Sequence, residues 1–208
     1  GELAHLIVRD PDYAGKVSKD LLYEVGKEVK LKKGVTELMK ILAEGIDNCR
    51  FSTYIVSAEP KECVEKAVEH ILPVDNVYGT TFIYKNNIVQ DIERANAGHA
   101  KVATLDMLKE KENVPRNAII YVGDGSSDVH VMLHIMFYNG YTITVSPSPY
   151  MGHICRRSVI SDNVLSILVP ILEDLLKYDQ EKVREFFRDK GHAILEWNRT
   201  DTEWLDIA

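Results

Sequence analysis

The residues best equipped for chemistry are concentrated in Val122-Gly123-Asp124-Gly125-Ser126-Ser127-Asp128. A β-branched run, Ala118-Ile119-Ile120-Tyr121-Val122, leads into this segment, and a helix should follow Asp128 with Val131, Met132 and Ile135 on its buried side. In open α/β sheets ligands sit outside the carboxyl ends of the strands, so Asp124 is aimed where a site would be. The two glycines permit a turn tight enough to expose its carboxylate. Asp124 and Asp128 can then face one locus, a hard oxygen environment that suits Mg²⁺. The plainer alternative is a strand-to-helix turn in which Asp128 only caps the helix.

Two further groups belong to the same edge. Ser57 closes the strand-like Tyr54-Ile55-Val56, and Ala58-Glu59-Pro60 leads toward a helix carrying Val64, Ala67, Val68 and Ile71 on one face. A hydroxyl beside free backbone N–H groups, at Ser57 and Ala58, makes an anion cradle; taken alone, Ser57 could equally be a helix cap. Lys101 follows Ala97-Gly98-His99-Ala100 at the start of another helix, 44 positions after Ser57 and 23 before Asp124. A cation there would neutralise an anion held by the serine. Weaker candidates read as structural. His130 and His134 stand at i, i+4 without a third ligand, so they, His99 and His153 read as surface or core packing, and Arg156 and Arg157 read as solvated. Cys49, Cys63 and Cys155 are an odd number at wide spacing with no C-x-x-C pair, and Cys155 has no partner to activate it.

The elements that must position these groups follow from the hydrophobic period. Buried strands are expected at 54–56, 118–122 and 141–145. Helices are expected after Pro60, from about His99 to Lys111, after Asp128, and from Asn163 to Leu176, the last capped by Asp162 and interrupted by Pro170. Strands alternating with helices predict an α/β fold, a Rossmann-like open parallel sheet layered by helices. Thr80 to Val89 breaks the rhythm and reads as a small hairpin beside that sheet, turning at Asn86-Asn87. The expected organisation is an N-terminal segment 1–33, a core 34–177 and a C-terminal extension 178–208. The extension should hold a helix and an edge strand near Ala193 to Trp197, with Trp197 and Trp204, beside Glu196 and Asp201, as a packed tail.

Composition bounds the function. The 208 residues are 45% hydrophobic and 27% charged, ordinary for a globular chain. With 25 Lys and Arg against 32 Asp and Glu, the net charge of −7 argues against a surface that coats nucleic acid or seeks anionic membranes. No stretch approaches the roughly 20 apolar residues of a membrane span, no secretory signal pattern opens the chain, and the cysteine usage suits a reducing cytoplasm.

From about Lys32 to Glu173 the chain resembles the haloacid dehalogenase-like (HAD) hydrolase superfamily, most nearly its phosphoserine-phosphatase-type branch. The carrying residues are Gly34-Val35-Thr36-Glu37-Leu38, Tyr54-Ile55-Val56-Ser57, the hairpin region from Tyr78 to Val89, Lys101, and Gly123-Asp124-Gly125-Ser126-Ser127-Asp128. The resemblance implies that Ser57 binds the transferring phosphoryl group and that Lys101 neutralises it. It implies that Asp124 is an Mg²⁺ ligand and Asp128 either a ligand or a partner of Lys101. The implied reaction is Mg²⁺-dependent hydrolysis of a small phosphorylated metabolite through an aspartyl-phosphate. That chemistry rests on positioning and charge neutralisation.

Members of this superfamily attack with the first aspartate of a D-x-D motif that ends a strand. The only D-x-D here is Asp10-Pro11-Asp12, after the apolar Leu6-Ile7-Val8 and Arg9. Two expectations stand side by side. Either Leu6 to Val8 is the first core strand and Asp10 and Asp12 are the nucleophile and acid/base, or the motif lies upstream of Gly1 and residues 13–31 end a helical cap. A HAD-like binding or regulatory protein without a nucleophile is the alternative function. A phospho-acceptor regulatory domain explains Ser57, Lys101 and the Gly-Asp-Gly turn less well.

Overall fold

The computed structural model describes residues 2–198; Asp201 and Trp204 lie outside them. Three short helices come first: α1 (Glu2–Arg9), α2 (Lys19–Lys27) and α3 (Val35–Glu44). A first sheet follows from β1 (Ile55–Pro60), β2 (Val77–Lys85) and β3 (Ile88–Arg94), with α4 (Lys61–Ala67) crossing over between β1 and β2. β1 pairs parallel with β2, and β2 antiparallel with β3. Helix α5 (His99–Glu112) leads to a second, all-parallel sheet in the order β4 (Ile120–Gly123), β5 (Tyr141–Thr144), β6 (Arg157–Ser158), with α6 (Val129–Phe137) and α7 (Pro149–His153) as crossovers. The last helices are α8 (Leu168–Pro170) and α9 (Gln180–Asp189).

The α/β character is therefore as expected, but the sheet comes in two halves. Among the described residues β1 has a strand partner only in β2, and β4 only in β5. Helices bridge the interval. Leu105 of α5 packs with Tyr121 of β4, and the same helix lies against β1. On the opposite face, α3 places Leu38, Ile41 and Leu42 on Tyr141 and Ile143 of β5, while its Met39 also meets Ile55 of β1. Alternation along paired strands explains the division: Tyr121 shares a row with Thr142 and faces α5, whereas Val122 shares a row with Ile143 and faces the α3 side. All four residues of β5 are buried, and the fully enclosed Ile143, Leu168 and Leu172 contribute roughly 1.5–3 kcal/mol each to the largest core.

Several expectations are corrected in detail. Leu6-Ile7-Val8 is helical within α1. Ala4 and Ile7, one turn apart, are buried against Phe82 and Val89 of the hairpin, and this helical period prevails over a three-residue apolar run with no strand to pair with. The hairpin is longer than 80–89 and belongs to the first sheet, since β2 is the parallel neighbour of β1. Asn86 and Asn87 take φ of 50° and 67°, the backbone of a two-residue type I′ turn, which asparagine tolerates. α2 opens on Ser18, whose hydroxyl accepts from the Leu21 N–H at 3.0 Å, and it lies close on α4. A Cβ at Gly26 would come within 2.6 Å of the Cys63 carbonyl. Near the C-terminus Asn163, not Asp162, supplies the cap, its side chain accepting from Leu165 N–H at 3.0 Å. Pro170 ends α8, and a π-helical turn, Ile171–Leu175, takes over. The helix of the extension is α9, capped by Asp179. Residues 193–197 form no strand: Ile194 and Trp197 pack on the largest core, and Arg184 sits 5.3 Å from the Trp197 ring.

Candidate active site

β4 delivers the Gly-Asp-Gly turn to the carboxyl edge of the second sheet. After Gly123 the chain passes Asp124 and Gly125, makes a 3₁₀ turn over Ser126–Asp128 and enters α6. A Cβ on Gly123 would lie 2.8 Å from Cβ and from Cγ of Asp128, so only glycine lets that side chain fold back under the strand end. Asp128 is 4% exposed and fully bonded. Its Oδ1 accepts from Lys101 Nζ and from the Tyr121 hydroxyl, both at 2.6 Å. Its Oδ2 accepts from the N–H of Asp124 at 3.1 Å and of Gly125 at 3.3 Å. Burial alone would raise the pKa of this carboxyl, but the hydrogen bonds from Lys101 and Tyr121, the lysine charge and the Asp124 N–H hold it below the ordinary aspartate value. Burial, together with the Asp128 charge, pushes the Tyr121 phenol up, so it stays a donor.

Lys101, in the first turn of α5, is likewise 4% exposed, and its Nζ also reaches Ser127 Oγ at 3.4 Å. The lysine, both aspartates and the β4 turn are thus one constellation. Asp124 differs from Asp128: its carboxylate is exposed at the strand end, while its own N–H is spent on Asp128. At the rim, His99 and His130 stack with ring centroids 4.1 Å apart.

Ser57 lies within β1 rather than at its end, because the strand continues to Pro60 and α4 starts only at Lys61. Its Oγ accepts from the Glu59 N–H at 3.1 Å, which leaves the hydroxyl hydrogen available. Its carbonyl accepts from Asn96 Nδ2 at 3.1 Å, and the Ala58 carbonyl from Thr80 Oγ1 at 2.8 Å. Ser57 also lines an apolar groove of about 560 Å³ with Leu3 and Ile7 of α1, Leu21 and Val25 of α2, and Val64 of α4. Sequence reading missed Asn96, Thr80, Thr104 and Tyr121. Asn96-Ala97-Gly98 has the composition of any loop, and nothing local marks the asparagine as buried.

The remaining candidates fall outside the site. His134 Nε2 lies 3.6 Å from Asp106, which also binds Arg116. Arg157, expected to be solvated, pairs with Glu173 and Asp174, and Arg156 Nε donates to the Gly140 carbonyl at 3.0 Å. The three cysteines are free thiols. Burial, helped by the Glu62 and Glu59 charges, pushes Cys63 up to about 11. Asp10 and Asp12 occupy an exposed turn after α1, where Asp10 Oδ1 accepts from the Asp12 N–H at 2.8 Å. No strand precedes them among the described residues.

A comparison with protein families matches residues 11–133 to the haloacid dehalogenase-like hydrolase model. The chain belongs to this family. The matched span includes Ser57, Lys101, Asp124 and Asp128. No curated protein matches the chain. Among solved structures the HAD-like fold is shared with a phosphoserine phosphatase in apo form, at 17% identity and TM-score 0.60, covering 86% of this chain and 82% of the other. It is shared too with a phospho-aspartyl intermediate analogue of phosphoserine phosphatase, at 18% identity and TM-score 0.60, covering 74% and 70%. A HAD family hydrolase from Salmonella enterica subsp. enterica serovar Typhi aligns at 18% identity and TM-score 0.62, covering 79% and 57%. At these identities the likeness is one of fold. No helix of the described residues is long and apolar enough to cross a membrane.

Proposed function

We propose that this HAD-family chain is an Mg²⁺-dependent phosphomonoester hydrolase acting through an aspartyl-phosphate, with Ser57, Lys101 and Asp124 as its phosphate- and metal-holding residues. The observation that carries this reading is the buried Lys101–Asp128 pair beneath an exposed Asp124 at the carboxyl edge of β4. Lys101, held by Asp128, supplies a fixed positive charge next to the turn. Ser57 donates its hydroxyl hydrogen, and Ala58 its N–H, to phosphate oxygens. Asp124 offers oxygen to the metal. Mg²⁺ commonly takes one or two carboxylates, completing its shell with water and substrate phosphate, so a single exposed aspartate suits it. All four acceptor sites of Asp128 are occupied by protein donors, so its part is to position Lys101 and the turn rather than to bind metal. When bound, the ion would offset charge on the transferring phosphoryl group. The substrate class is a small phosphorylated metabolite, in line with an acidic chain of net charge −7, and a cytoplasmic setting suits three free thiols.

The nucleophile is the open element of this reading. Asp10 and Asp12 follow a helix and lie in an exposed turn, an arrangement unsuited to attack beside Lys101. The reading requires an aspartate on a strand between β1 and β4, each of which pairs on one edge only among the described residues. The second reading, phosphate binding without turnover, is favoured by the same turn geometry. The experiment measures inorganic phosphate binding and Mg²⁺-dependent hydrolysis of p-nitrophenyl phosphate by wild type, Lys101→Ala and Asp124→Asn. Expected are phosphate binding weakened at least about tenfold by Lys101→Ala and Mg²⁺ dependence abolished by Asp124→Asn. Binding without turnover in wild type selects the second reading, and equal phosphate affinity in all three proteins overturns both.

A further inference from the structure

The two half-sheets share no strand pairing among the described residues, yet Ser57 and Ala58 stand on one of them and Asp128 follows a strand of the other, with Lys101 on the bridging helix α5. A buried polar chain joins them, with Asn96 at its centre. Asn96 lies between β3 and α5, is 1% exposed, and has its N–H and both ends of its side-chain amide bonded. Its N–H donates to Thr80 Oγ1 at 3.1 Å. Its Nδ2 donates to the Ser57 carbonyl at 3.1 Å and the Tyr78 carbonyl at 2.9 Å. Its Oδ1 accepts from Thr104 Oγ1 at 2.9 Å. Thr104 is one turn beyond Lys101 on α5, and its hydroxyl also accepts from Arg94 Nη2 at 2.9 Å.

We infer that Asn96 is a positioning residue that fixes the direction of the Ala58 N–H and the spacing of Ser57 from Lys101. In a planar trans peptide the N–H of Ala58 points opposite to the carbonyl of Ser57. Asn96 holds that carbonyl on the β2 side, since it bonds Tyr78 of β2 with the same amide group. The Ala58 N–H is therefore turned to the other edge of β1, which has no strand partner among the described residues. Thr80, itself anchored by the Asn96 N–H, holds the next carbonyl, that of Ala58. Through Thr104 the same side chain ties this peptide to the helix that carries Lys101, so one amide sets both halves of the anion cradle. An aspartate here would fill the same volume but lose the two donors, which neither water nor a neighbour replaces in a site this buried.

This inference rests on the phosphate reading for its purpose but not for its geometry, and its test separates the two. In wild type, Asn96→Asp and Thr104→Val, residual dipolar couplings report the direction of each backbone N–H bond. The coupling of Ala58 should change in Asn96→Asp, and by less in Thr104→Val, while those of β5 and of α6 stay constant. Titration with inorganic phosphate should shift the Ala58 amide resonance in wild type, with affinity about tenfold lower in Asn96→Asp. Thr104→Val leaves the Asn96 donors in place and serves if Asn96→Asp does not fold. An unchanged Ala58 coupling in the folded variants overturns the positioning role. A wild-type Ala58 resonance that ignores phosphate removes the phosphate reading, and the couplings then decide the role of Asn96 alone.

Discussion

Lys101 and Asp128 illustrate how a buried ion pair earns its place at the scale of a residue. The near-complete enclosure of both partners withdraws two charges from water at a cost, which is offset here by their close pairing and by four hydrogen bonds to the carboxylate. Lys101→Met should therefore strand a buried carboxylate and reduce stability by about 3–5 kcal/mol, measured by urea denaturation. The double variant Lys101→Met/Asp128→Asn, which leaves no unpaired charge, should lose distinctly less. A double variant as unstable as the single one would show that packing, not charge pairing, dominates. The roles proposed for Ser57 and Asp124 start from residue type, because glycines, a small hydroxyl and an acidic side chain have narrow uses near strand ends; Asp124 does follow β4, whereas Ser57 lies inside β1. Asn96 was not visible, since its importance comes from four partners at positions 57, 78, 80 and 104 that only folding assembles.

At the scale of elements, the turn after β4 depends on two glycines for different reasons. Gly123 is required by close approach, because its missing Cβ would strike Asp128. Gly125 has extended backbone at φ −138° and open space around it. Gly123→Ala should cost about 1–3 kcal/mol through displacement of Asp128, whereas Gly125→Ala should change stability by less than about 0.5 kcal/mol. Equal effects in denaturant melts would contradict that distinction. The strands β4 and β5, the helices α5 and α6 and the Asn86-Asn87 turn were all legible, their apolar runs and caps being local and strong. α1 was not. Leu6-Ile7-Val8 is too short to separate strand from helix by period, and its helical state is settled by Ala4 and Ile7 packing on a hairpin some 80 positions away. The C-terminal strand failed for the complementary reason: Ala193 to Trp197 has β-forming residues, but Ile194 and Trp197 pack on the largest core instead of joining a sheet edge.

For the whole molecule, two half-sheets clasped by α3 and α5 imply uneven protection. β5 is flanked on both sides and buried throughout, whereas β1 has one strand neighbour among the described residues and only its Pro60 is buried. Amide hydrogen exchange should place Thr142, Ile143 and Thr144 among the slowest amides, with Val56 and Ala58 faster by about 100-fold or more. Uniform protection across β1 and β5 would mean that the unpaired edge of β1 is covered in solution. Taken alone, the sequence determined the α/β class, the order Ser57, Lys101, Asp124 and Asp128 along the chain, and the family to which they belong. Each of those follows from local pattern, the period of apolar residues and a short motif. Tertiary structure decided that Asp128 is saturated while Asp124 is open, that Asp10 and Asp12 stand in a turn after a helix, and that the sheet is divided between β1 and β4. These depend on which distant groups meet and which polar atoms are thereby satisfied, and no local pattern encodes that.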